Sequence, residues 1–308
     1  MMKLFKTIGA FTLFLIAFSC EQDVQTGQPL DDSPIFRDLP VAAGGRAANG
    51  RASDYKLEVY TAEYITSGES DQVGRIVYFN NVGNKQLGAD FVPGFSLDET
   101  DNVSYYIDEN RPSADISVQK SSAAITRAMN TWDAVNCSQL GITQKPYASS
   151  IPTGFVAAIL GLSGSFNYVA DVLHAGWLPA GFFNAIAPNG STYILGVTFT
   201  IIFTDDAGNP TDIDNNGKLD VAWREIYYND FFPWADGARF DIETVALHEA
   251  GHGLSQGHFG SAFRNSGNNK LHFSPRAVMN AAYSGVQTSI GETDNAGHCS
   301  NWASWPQN

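Results

Sequence analysis

Eleven residues late in the chain, His248-Glu249-Ala250-Gly251-His252-Gly253-Leu254-Ser255-Gln256-Gly257-His258, carry three imidazoles and one carboxylate. A helix repeats about every 3.6 residues, so side chains four apart rise from one face, one turn above the other. His248 and His252 stand at that spacing, and their ring nitrogens can reach a single ion. Imidazole nitrogen suits Zn²⁺ at roughly 2.0 to 2.1 Å, and a catalytic site supplies three protein ligands while leaving a fourth position to water. His258 is the expected third ligand. Glu249, next to the first, is the expected general base for that water. The chain holds six His, and three of them fall at this spacing with Glu249 between them, which weighs against accidental neighbours.

For His258 to turn back onto the same ion, the helix must end soon after His252 and the chain must reverse. Gly253 and Gly257 offer positions where positive φ is cheap. The pattern resembles the H-E-x-x-H-x-x-G-x-x-H of metzincin metalloproteases. One departure is visible: the family's glycine falls on Ser255. Either Ser255 takes an unusual backbone conformation or a neighbouring Gly makes the turn. Downstream, Arg276 to Tyr283 resembles the Met-turn of the same family, and the resemblance implies that Met279 forms an apolar floor under the imidazoles without being a ligand. Tyr283, four residues after Met279, is similar to the matrixin Tyr of the substrate-pocket wall, and no role on the metal is assigned to it. An ordinary core Met followed by a packed Tyr is the plainer alternative. A gluzincin-like site with Glu292 in place of His258 is the competing ligand set.

The elements that must position these groups are legible around them. Asp241 is a good N-cap, Glu243 suits the positive end of the helix dipole, and Ile242, Val245 and Ala246 form an apolar face. Ser122 to Asn136, with Ile125, Met129 and Trp132 at helical spacing, predicts an amphipathic helix. Runs rich in β-branched and aromatic residues at 103–107, 193–203 and 221–228 predict strands. Gly291 to Cys299 resembles the last helix of matrixin-like domains, in which an Asp near the start ties the helix to the Met-turn; Asp294 matches that position, though a simple helix-start acid explains it equally. The resemblance covers residues 101–308 and is specific over 241–283. It implies an α+β domain with a twisted mixed five-stranded sheet, three main helices and an active-site cleft. In such a cleft, substrate lies antiparallel along an edge strand.

Asp212, Asp214, Asn216 and Asp220 put oxygen ligands around a tight turn at Gly217, as Ca²⁺ prefers. The twelfth position of an EF-hand would be Glu, and here it is Trp223, so an Asx-rich hairpin turn competes with the calcium reading. His174 sits where matrixins hold a structural zinc, but the companion histidines have no match, and a hydrogen-bonded structural His is the better expectation.

Residues 1–19 combine Lys3 and Lys6 with the apolar run Ile8 to Phe18, a secretion signal too short for a comfortable membrane span. Cys20 directly after it resembles a lipobox cysteine, which implies a bacterial lipoprotein anchored at the outer membrane or cell surface; a plain signal peptide with a coincidental Cys is the alternative. Residues 20–50 read as a flexible tether. Residues 51–100, with strand-like 57–65 and 75–79, read as an inhibitory prosegment, a small β extension or part of the domain. Three Cys leave one over in an exported protein; with Cys20 lipidated, Cys137 and Cys299 are the only pair, and two buried free thiols are the alternative. A net charge of −14, from 18 basic and 32 acidic residues, provides no footprint for nucleic acid. The expected protein is a monomeric zinc endopeptidase acting on protein or peptide substrates outside the cell. The contrasting expectation is a catalytically inactive surface module that keeps zinc for stability and binds protein or glycan.

Overall fold

The computed structural model of the chain describes residues 30–39, 54–79, 88–97, 100–167, 169–267 and 269–307. The expected signal segment and Cys20 lie outside the described residues. In chain order the strands are β1 (Ile35–Arg37), β2 (Lys56–Thr66), β3 (Ile76–Phe79), β4 (Ala89–Phe91), β5 (Val103–Ile107), β6 (Ile142–Gln144), β7 (Val172–Leu178), β8 (Ile194–Thr204), β9 (Leu219–Asn229), β10 (Ser261–Arg264) and β11 (Leu271–Ser274). The helices are α1 (Val118–Asp133), α2 (Phe155–Ile159), α3 (Ile242–Gly253) and α4 (Glu292–Trp302). Short 3₁₀ turns occupy Ala180–Ala185 and Gly190–Thr192.

The fold is mixed α+β and centres on one large mixed sheet. Its strand order is β1-β3-β2-β8-β9-β7-β5-β6, with β4 also paired to β9; β10 and β11 form a separate hairpin. Strands β5, β6, β7 and β9 run parallel, and β8 runs antiparallel to its neighbours β9 and β2. This nine-stranded sheet differs from the expected five strands. The additional strands include β2 and β3 from residues 56–79 and β1 from within the expected tether, stacked outward from β8. An open β8 edge would present a row of unsatisfied backbone groups, and β2 pairs with it from Lys56↔Thr204 to Thr66↔Ile194. Leu57, Val59 and Tyr64 of β2 are buried in the same cluster as Val197, Ile201 and Phe203 of β8, so the pairing also removes apolar surface from water.

Both faces of the central strands are covered, which is why β8 and β9 are buried along their whole length and read as near-continuous apolar runs. Against one face pack α1 and α3, through Ile125, Met129 and Trp132 of the first and Val245, Leu247 and Ala250 of the second. The Trp132 indole donates to the Leu247 carbonyl at 2.9 Å and locks the two helices. Helix α1 begins four residues before the expected start, because Ser117 caps it by accepting from the Lys120 N–H. The other face is covered by α2 and the 180–185 turn, where Phe155, Phe182 and Phe183 meet Phe199 and Tyr227. Cys137 and Cys299 form a disulfide, S–S 2.08 Å, joining the chain after α1 to α4. Among the described residues no helix is long and apolar enough to cross a membrane.

Candidate metal centre

Helix α3 starts at Asp241, whose carboxylate accepts from the Thr244 N–H at 2.8 Å. Ile242, Val245, Ala246 and Leu247 sink into the core, and the opposite face lifts His248 and His252 together. The ring contacts are tight: Nε2 of His252 lies 3.1 Å from Nε2 of His248 and 3.2 Å from Nε2 of His258. Nδ1 of His248 lies 2.8 Å from the Val278 carbonyl, and Nδ1 of His252 lies 2.7 Å from the Gln256 carbonyl. A carbonyl only accepts, so each Nδ1 carries the proton, and each neutral ring turns a bare lone pair on Nε2 toward the other. Two lone pairs at that distance repel unless a cation lies between them. For nitrogens about 2.05 Å from a tetrahedral metal, the N···N edges are about 3.3 Å, close to the distances found. The three rings therefore fit a divalent metal, and His248, His252 and His258 are the residues that would hold it. Burial, the largest cause, lowers His248 to about 4, and burial together with the neighbouring imidazoles lowers His252 and His258 well below the usual histidine range. The rings are thus neutral at neutral pH, the form that ligates.

The reversal that brings His258 back is made by Ser255. Neither Gly253 nor Gly257 takes positive φ, and Ser255 does, at +66°. The Ser255 N–H donates to the His252 carbonyl and the Gln256 N–H to the Gly251 carbonyl, both at 3.0 Å, the paired bonds of a Schellman ending. The serine side chain has a partner there: its Oγ accepts from the buried Arg224 guanidinium at 2.7 Å. Arg224 also donates to the Gly253 and Ala89 carbonyls and to Thr200 Oγ1, so one arginine of β9 pins the end of α3. From α4, Asn301 and Trp302 donate to the Ser255 and Leu254 carbonyls. Gly253 has a different use. A Cβ there would sit 3.0 Å from Val172, so its glycine lets α3 approach β7.

Below the rings, Asp294 accepts from the Val278 and Met279 N–H groups at 3.0 Å each and from the Gly291 N–H at 2.9 Å. Met279 packs against α3 where there is no side chain: a Cβ on Gly251 would lie 2.2 Å from the Met279 sulfur. The Met279 carbonyl accepts from the Phe259 N–H at 2.8 Å, tying the residue after His258 to the same turn. Tyr283 faces away from the imidazoles. Its hydroxyl accepts from the Asp241 N–H at 3.3 Å and its ring lies against Phe240, so it braces the start of α3. Glu292 is exposed at the start of α4 and is not grouped with the three histidines.

Glu249 is fully buried. Its Oε2 accepts from Thr198 Oγ1 at 2.6 Å, the Ile65 backbone lies beside the carboxylate, and Oε1 has no hydrogen-bond partner. Burial, opposed by the Thr198 bond, pushes its carboxyl well above the usual range. Gly196 makes the room, since a Cβ there would lie 2.9 Å from Oε1. Glu63 of β2 reaches to 3.5 Å from His252 Nδ1, and burial pushes it up to about 7 against the pull of Arg224. Thr198, Gly196, Glu63 and Arg224 are site residues that reading the sequence missed. A usable signal was present for one of them: Gly196 interrupts a run that is otherwise β-branched, aromatic and apolar.

The carboxylates of Asp212, Asp214 and Asp220 approach within 4.8 Å of one another. Much of their capacity serves the loop itself. Asp212 accepts from the Gly217 N–H, Asp214 from the Asn216 N–H and Asp220 from the Ile213 N–H. The Asn216 amide donates to Asp214 and to Asp90, and its Oδ1 accepts from the Lys218 N–H. Burial raises Asp220 to about 6. His174 is a core residue, Nδ1 2.8 Å from the Tyr228 hydroxyl and Nε2 3.3 Å from the Met129 sulfur.

Comparison with protein-family models finds no match to this chain, and comparison with curated proteins finds none either.

Proposed function

We propose that the protein is a zinc-dependent metalloendopeptidase with a metzincin-like, matrixin-like arrangement of His248, His252 and His258 around the metal and Glu249 as general base. The observation that carries it is the convergence of three imidazole Nε2 atoms beside a buried carboxylate. A bound zinc supplies Lewis acidity, polarising the scissile carbonyl and acidifying a water molecule. The chain does the rest. The Val278 and Gln256 carbonyls hold two rings in the ligating tautomer. Glu249, with Oε1 unpartnered and Oε2 steadied by Thr198, takes a proton and returns it to the leaving amine. Burial raises the proton affinity of its carboxyl, the direction that a proton acceptor needs.

The signal-like residues 1–19 and Cys20 support export and lipid anchoring at the outer membrane or cell surface, with extracellular protein as substrate. Calcium at 212–220 is part of the same reading, supported by three clustered carboxylates and tested by a calcium-dependent rise in melting temperature. The complete burial of Glu249 favours one second reading, a zinc-stabilised surface module without catalysis. Glu249→Ala separates the two. The peptidase reading expects stoichiometric zinc in both proteins and cleavage of a broad peptide library by the native chain alone; zinc binding with no cleavage by the native chain sinks it.

A further inference from the structure

A peptide that adds a strand to the sheet beside Glu249 needs the β8 edge, and the chain already occupies that edge. Strand β2 runs antiparallel along β8, with Glu63↔Thr198 and Ile65↔Gly196 in register beside the Glu249 carboxylate. On its other side the end of the strand meets the stretch after Met279: Thr66 bridges Ala282 in parallel, and the Tyr283 N–H donates to the Thr66 carbonyl at 2.8 Å. The returning chain then crosses the third imidazole. The Gly74 N–H donates to the Ala281 carbonyl at 2.6 Å, and a Cβ on Gly74 would lie 2.8 Å from the His258 ring. Residues 61–67 are therefore extended, gripped by main chain on both sides and laid over the general base, which is how a bound peptide would be held.

Resting on the peptidase reading above, we infer that residues 61–67 are an internal occupant of the peptide-binding groove between β8 on one side and β3 with 281–283 on the other, and that a peptide binds by replacing them. Three features favour exchange. The β2–β8 ladder is interrupted between Val59 and Thr61 and again between Ile65 and Thr66. On its outer side β2 pairs with β3 over Thr61, Ala62 and Glu63 only. A half-open pocket of about 150 Å³ lies beside Thr61 and Glu63, and Thr200, Arg224 and Gln256 also line it. An incoming strand re-forms the backbone bonds that the departing one gives up, so the exchange leaves the ladder nearly unchanged in energy. The occupant also explains how Glu249 is fully buried in a protein whose proposed reaction needs it to meet substrate.

The test uses the zinc-loaded full-length chain carrying Cys20→Ser and Glu249→Ala together with Thr61→Cys and Thr200→Cys, two positions that face each other across β2 and β8. Oxidation ties the strands together and mild reduction frees them. The parent without the added pair, treated identically, controls for Cys137–Cys299. The probe is a fluorescent peptide copying residues 57–67, read by anisotropy. The reduced protein is expected to bind it at least tenfold more tightly than the oxidised one, and the peptide should raise amide exchange in 56–66 while 196–202 stay protected. Equal affinity for both forms, or binding to neither, overturns the inference. Because the readout is binding in a protein without Glu249, it stands apart from the peptidase reading, which falls or survives on library cleavage by the native chain.

Discussion

Asp294→Asn should weaken both the fold and the metal site, through a single peptide group. The Val278 carbonyl and the Met279 N–H belong to the same planar unit. Its N–H side donates to Asp294 Oδ1 at 3.0 Å, and its carbonyl side faces His248 Nδ1 at 2.8 Å. The carboxylate thus sets the orientation of a ring it does not touch. Asp294 is buried and accepts three backbone bonds, with Oδ2 shared by Val278 and Gly291. Asparagine keeps one oxygen and turns an NH₂ group toward at least one of the N–H donors. Hydrogen bonds to a charged acceptor are each worth about 1.5–3 kcal/mol, so losing one or two of them predicts a loss of about 1.5–6 kcal/mol. Disturbing the partner of a ligating histidine typically lowers metal affinity about 10- to 100-fold. Urea unfolding of the metal-free protein measures the first effect, and chelator competition for zinc measures the second. Zinc affinity within threefold of the native value, alongside a large loss of stability, would refute the relay from Asp294 through the peptide to His248.

Three further outcomes follow from the same geometry. Ser255→Ala keeps the left-handed backbone and loses the Arg224 bond, whereas Ser255→Gly loses the bond but relieves a strain of about 1 kcal/mol. Urea midpoints should therefore rank native above Gly and Gly above Ala, and Ala at or above Gly contradicts the backbone account. Burial lowers His174 from its ordinary 6.5 to about 3, so the unfolded chain binds a proton there that the fold refuses. That contribution to stability is complete above about pH 6.5 and is lost as pH falls toward 3, with a slope approaching about 1.4 kcal/mol per pH unit. His174→Gln should flatten the metal-free stability profile between pH 4 and 6, and an unchanged slope would place the titration elsewhere. Replacing both Cys137 and Cys299 by Ser releases a loop spanning 162 residues and should cost about 5 kcal/mol in the chain-entropy limit, read as a drop in urea midpoint.

What could be read from the sequence was set by short-range geometry. The placement of His248, His252 and Glu249 follows from helical period, and the start of α3 follows from Asp241, whose cap bond spans three residues. Strands β5, β8 and β9 were legible because a strand buried on both faces leaves an apolar, β-branched run. Cysteine parity pointed to Cys137 with Cys299, the pair that the fold joins. At the turn the sequence marked the position and left its conformation open. Ser255 stood where a glycine was expected, and the buried Arg224 that accompanies it comes from a strand 31 residues earlier.

The sequence by itself determined which residues could do chemistry, because ligand spacing within one helix and its cap is a property of local backbone geometry. Tertiary structure alone decided what surrounds them. Thr198 reaches Glu249 from 51 residues away, and β2 finds the β8 edge across more than 120 residues of chain. Such pairings depend on burial and backbone satisfaction across the whole sheet, and no periodicity along the chain records them. That is why residues 56–66, which read in isolation as any half-buried strand, come to lie over Glu249.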